Sequence, residues 1–226
     1  MRRRILALVA LAMLVVPVEP VAADTTGGCG GGTSCHFSET GKGADAGWTT
    51  FPADGQPVTN VVYTDTFLST AEQAVKQDGT VFSDKFLFID QFSYKFDRRG
   101  NFIAVSDTFG FAGGNDVNLS VDRALTSASV TASVAVTTCI VKTCVDAGIG
   151  SVVASWTGQG DIIRQSGSFH VVSKGFTETS KFRGTFRNAT ASGSLNGADI
   201  GGQPFFADIF NSSSRDIFIC HGPGSC

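Results

Sequence analysis

From Trp48 onward the sequence is written in a period of two. ASVTASVAVTTCIV (128–141), TVFSDKFLFIDQFSYKFD (80–97) and NFIAVSDTFGFA (101–112) alternate side chains of opposite character and are rich in β-branched and aromatic residues. That spacing places alternate residues on opposite faces of an extended strand and gives no continuous apolar stripe to a helix. Gly, Asn and Ser clusters punctuate the pattern down to RDIFIC (215–220). Roughly ten to twelve strands result. The expected fold is all-β, a single antiparallel β-sandwich or jelly-roll/barrel-like domain. Its one candidate helix is STAEQAVKQDG (69–79), where Ser69 and Glu72 fit a capping box, although Asp78-Gly79 is also a hairpin signal.

The ends bound the setting. MRRRILALVALAMLVVPVEPVAAD (1–24) has an arginine cluster, a short apolar run and a small-residue cleavage motif at Val21-Ala22-Ala23. It reads as a secretory signal over 1–23, so the mature chain is expected to be secreted, with no membrane span of its own. Residues 24–47, dominated by Gly, Thr and Ser, read as a Gly-rich leader, and 48–226 as one β domain. Removing Arg2, Arg3, Arg4 and Glu19 with the signal leaves a net charge of −5, which argues against nucleic acid as a partner. An extracellular ligand or surface is the expected partner.

Six cysteines stand in three close pairs, Cys29/Cys35, Cys139/Cys144 and Cys220/Cys226. In an exported chain they are expected as local disulfides. His36 and His221 beside two of them offer imidazoles for zinc, but an oxidising compartment disfavours the thiolates such a site needs.

The remaining signal is a spelling. Asp followed two residues later by Phe occurs at Asp65, Asp84, Asp90, Asp107, Asp208 and Asp216. Chance would give about one such spacing at this composition. Each Asp shares a strand face with its Phe, and Asp90 interrupts an aromatic stripe of Phe86, Phe88, Phe92, Tyr94 and Phe96. The turn DRRGN (97–101) allows two registers. One sets Asp90 opposite Asp107; the other sets Asp90 opposite Thr108 and Asp107 opposite Gln91. Paired carboxylates would need a shared proton, suited to acid/base chemistry, or a hard cation such as calcium. Asp116, with Asn115 and Asn118, is a second calcium candidate. The plain alternative is that these residues accept hydrogen bonds or guard strand edges.

Lys181, Arg183 and Arg187 in SKFRGTFR (180–187) fall on one strand face, either a solvated face or a groove for an anionic polymer. No nucleophile elbow, phosphate loop or metal-protease motif is present. The expected function is therefore a noncatalytic extracellular binding or structural module. A glycosidase-like hydrolase using Asp90 and Asp107, and a calcium-stabilised carbohydrate-binding module, are the alternatives.

Overall fold

A computed structural model describes residues 34–50, 61–77, 79–140, 143–201 and 204–221. The elements are β1 (Ser34–Thr50), β2 (Val62–Gln77), β3 (Thr80–Phe96), β4 (Phe102–Gly113), β5 (Val117–Val121), β6 (Ser127–Ile140), β7 (Thr143–Gly158), β8 (Ile163–Val172), β9 (Phe176–Leu195), β10 (Ala198–Asp199) and β11 (Phe206–Cys220). The only helical turn among the described residues is a 3-10 turn at Gly114–Asp116, and no helix is long and apolar enough to cross a membrane.

Every pairing is antiparallel, and the path β11, β1, β2, β3, β4, β6, β7, β9 returns to β11, so the all-β domain is a closed ring of eight strands. A ring of that size has an interior just wide enough for side chains to fill. Trp48, Leu68, Leu87, Val134, Val152 and Trp156 fill it, all at 1% exposure or less. Matched residues follow one face around the ring: Ala44, Thr70, Leu87 and Ala112 point inward. Asp45, Ser69, Phe88 and Phe111, one residue along each strand, therefore point outward. Trp156 Nε1 donates to the Asp45 carbonyl at 2.9 Å, tying β7 to β1 across the interior. The 122–126 loop adds Leu125, buried to 1% in a left-handed conformation, to the same core.

Two expectations are corrected. The capping-box segment is not a helix: residues 69–77 extend between two ladders, Ser69 matched to Asp45 on one side and to Phe88 on the other, with Gly79 at φ +95° in the hairpin turn. Paired edges on both sides satisfy more backbone than one short helix would, and tertiary pairing overrides the local signal. The Gly-rich leader is also cut short, because β1 begins at Ser34. Its glycines seat aromatic rings: a Cβ at Gly43 would stand 2.7 Å from the Phe210 ring, and one at Gly47 would stand 2.6 Å from that of Phe205. Glycine here makes room for packing, which a composition-based reading takes for looseness.

Cys139–Cys144 closes the β6–β7 hairpin, and Cys35 and Cys220 are disulfide-bonded as well; the expected partners Cys29 and Cys226 lie outside the described residues. Trp156→Ala should cost about 3–5 kcal/mol in urea denaturation, because it empties the barrel centre and strands the Asp45 carbonyl. A loss below about 1 kcal/mol would mean that the interior does not depend on this ring.

Candidate functional site

The Asp90 question is decided by the turn and a bulge. Asp97 Oδ1 accepts from Arg99 N at 2.7 Å and Asn101 N at 2.9 Å, Asp97 Oδ2 accepts from Asn101 Nδ2, and Gly100 takes φ +80°. The hairpin leaves this turn with Phe96 opposite Phe102 and Tyr94 opposite Ala104, the spacing that would set Asp90 against Thr108. Between Ser93 and Tyr94 the register slips, because Val105 is an extra residue in β4. A bulge of this kind reverses which face the following residues take. Beyond it Gln91 faces Thr108, Phe92 faces Asp107 and Asp90 faces Phe109. Neither expected register is therefore adopted along the whole hairpin. The bulge nonetheless turns Asp107 onto the face of Asp90, as its diagonal neighbour.

Asp90 now sits in a ring of rings. Phe88 and Phe92 flank it along β3, and Phe67 and Phe109 face it across the two neighbouring strands. Burial, then a hydrogen bond and charge repulsion from Asp107, push its carboxyl up to about 6. Oδ1 of Asp90 and Oδ1 of Asp107 are both shut off from solvent without a donor, and a proton kept on Asp90 spares the sheet a second charge at this spot. The Cys139–Cys144 bridge lies alongside, since Asp107 is matched to Cys139.

A second carboxylate pair escaped the sequence reading. Asp45 and Asp208 stand directly opposite each other on β1 and β11. Burial and then repulsion from Asp45 raise Asp208 to about 6; burial also raises Asp45, with a Ser69 hydrogen bond pulling the other way. The signal that could have revealed Asp45 is its frame, G-A-D-A-G, with Gly43 and Gly47 two residues away on the same face under Phe210 and Phe206. Three other members of the Asp-x-Phe set have ordinary partners. Asp65 accepts from Thr49 Oγ1 at 2.7 Å, Asp84 from the Lys85 and Gly114 amides, and Asp216 from Ser214 Oγ.

Asp116 is exposed in the 3-10 turn, and among the described residues no three His, Cys, Asp or Glu side chains converge as a metal would require. Each carboxylate pair offers at most four oxygens, short of the six to eight calcium takes. Lys181 and Arg183 are exposed on the inner face of β9, whereas Arg187 on that same face donates from Nε to the Gly160 carbonyl at 3.1 Å. His170 and His221 are engaged with Thr179 and Thr177. Shallow recesses lie away from the carboxylate pairs: one of about 290 Å³ against Ser155, Ser192 and Asp199, another of about 200 Å³ against Glu39, Gln165 and Phe182.

No protein-family model matches the chain, and no curated protein matches it. Among solved structures it is similar to an acetoacetate decarboxylase-like enzyme from Sphingomonas wittichii RW1, at 10% identity and a TM-score of 0.31 over 82% of this chain and 91% of that one. It is also similar to the β domain of the Bordetella autotransporter BrkA, at 8% identity and a TM-score of 0.15 over 84% of this chain and 100% of that one. Neither likeness is strong enough to carry fold or function across.

The raised carboxyls make stability pH-dependent, and the sign follows from the direction. Asp90 and Asp208 move from an ordinary 3.8 to about 6, so the fold favours their protonated forms. That contribution is complete below the ordinary value and is lost as pH rises through about 6. The melting temperature should be higher near pH 5 than near pH 8, and Asp90→Asn with Asp208→Asn should raise it at pH 8 and flatten the profile. A melting temperature independent of pH across this window would show that the pairs are solvated.

Proposed function

We propose that this protein is an exported, noncatalytic binding or structural module built on a β-barrel scaffold. The observation that carries the reading is the position of the Asp90–Asp107 pair: the two are diagonal neighbours on the outward face of the barrel wall, flush among phenylalanine rings and away from the shallow recesses. Retaining glycosidases hold their carboxyls about 5–5.5 Å apart and inverting ones about 6.5–9.5 Å, so that a glycosidic bond or a water fits between them. A pair that shares one proton, and so carries a single negative charge rather than two, serves the sheet instead, as a polar unit between rings. The signal-like start and the disulfides support export. The interior around Trp48 and Trp156 is packed with apolar side chains, whereas membrane-spanning barrels carry a polar interior.

One observation favours the hydrolase alternative: a carboxyl held near 6 can exchange a proton at working pH. The two readings separate in one assay. Mature protein, identified by an N-terminus near Asp24 in the external fraction, should release no reducing ends from a panel of soluble and insoluble polysaccharides, while Asp90→Asn gains stability at neutral pH. Reducing-end release abolished by Asp90→Asn would overturn the module reading in favour of catalysis.

A further inference from the structure

Past the core, the barrel wall opens. β3 has no partner beyond β2 over Thr80–Lys85, and β8 pairs only with β9, so among the described residues β8, β9, β11, β1, β2 and the start of β3 form a sheet with two free edges. Its inner face continues the face that carries the core. Along β11 the buried Ala207 and Ile209 give way to Asn211, Ser213 and Arg215; along β9, Ala191 and Ala189 give way to Arg187, Thr185, Arg183 and Lys181. Strand alternation and the matched registers therefore gather Arg164, Lys181, Arg183 and Arg215 on one inner surface. Lys181 is matched directly to Arg215, with Ser168 on its other side; Arg183 lies between Ser213 and Ser166, and Arg164 opposite Thr185.

Like charges set directly across a ladder destabilise it, and nothing on this face compensates them. The one carboxylate there is Glu72, already held by Lys42 at 3.1 Å, while Glu39, Glu178 and Asp216 of the same strands point outward. All four cations are exposed, and none has an ion pair among the described residues. Outside the described residues and the expected signal, the sequence holds only three acidic side chains, Asp24, Asp54 and Asp78, against the four cations of this face.

We infer that this inner face is a binding site for a carboxylate-bearing polysaccharide, an inference that rests on the exported-module reading. Arginine forks match carboxylates bidentately, and the surrounding Ser166, Ser168, Thr185 and Ser213 hydroxyls suit sugar hydroxyls. This face carries no Phe, Tyr or Trp, and its His170 is held by Thr179, so it lacks the stacking platform that single-stranded nucleic acid requires.

The test uses the mature protein with polygalacturonate as probe, read by calorimetry or affinity electrophoresis. Binding should weaken steeply with added salt. Lys181→Ser with Arg215→Ser should lower affinity about tenfold at low salt. Their thermal melt should stay equal or rise, because a repulsive pair has been removed, and this separates lost binding from lost folding. Arg183→Lys should retain partial affinity, as a charge without the fork. Absence of polygalacturonate binding, or affinity unchanged in the double variant, overturns the site and leaves the noncatalytic reading standing on its own assay. Tighter binding to single-stranded DNA than to polygalacturonate overturns the assigned occupant.

Discussion

Closure of the barrel depends on the way β9 shares its edge. Over Ala189–Leu195 it pairs with β7, and over Thr177–Phe186 with β8, while its other edge carries β11. β7 and β8 thus run along β9 as one strand interrupted at residues 159–162, where Gln159 N still reaches the Asn188 carbonyl at 2.6 Å. The first half of that composite strand closes the ring around Trp156; the second half extends the wall beyond the core, with no partner on its far side among the described residues. A single long strand therefore makes both the packed end of the barrel and its open, polar end. The core can be small because the eight strands of the ring all contribute to one interior, and ring closure leaves each of them paired on both sides there.

The legible part of this architecture was the part governed by alternation. Strand positions, the antiparallel all-β class and the even-odd sorting of Val130, Ala132, Val134 and Val136 to the inside follow from a period that any extended chain obeys. Closure into a ring was not legible, since the same alternation serves a sandwich and a barrel equally. Nor were Gly43 and Gly47 as packing positions: glycine carries no side chain to alternate, and only the facing Phe210 and Phe206 give it meaning.

The Asp90–Asp107 pair shows why site geometry is harder to read than fold. Asp-x-Phe spelling marked both residues, but their meeting depends on Val105, an unremarked valine that bulges out of register. Turn chemistry at Asp97 and Gly100 was read correctly in kind, and alone it would place Asp107 on the opposite face. One additional residue, undetectable from composition or period, reverses the face of everything downstream. Asp45 and Asp208 were harder still, being 163 residues apart in sequence and matched only through the β1–β11 pairing that brings the two ends of the chain together.

The two faces of the wall treat charge in opposite ways, and each way follows from its surroundings. Outward carboxylates lie among rings, where burial makes ionisation costly; a proton on Asp90 removes one of the pair's two charges beside Phe67, Phe88 and Phe109. Inward cations lie among Ser and Thr hydroxyls in an exposed setting, and arginine as a residue type has no neutral form near neutral pH. Aspartate can therefore resolve a like-charge pairing internally, as Asp90 and Asp208 do. Arg215 has no such route, and the anionic group inferred for the inner face would compensate it from outside the sheet.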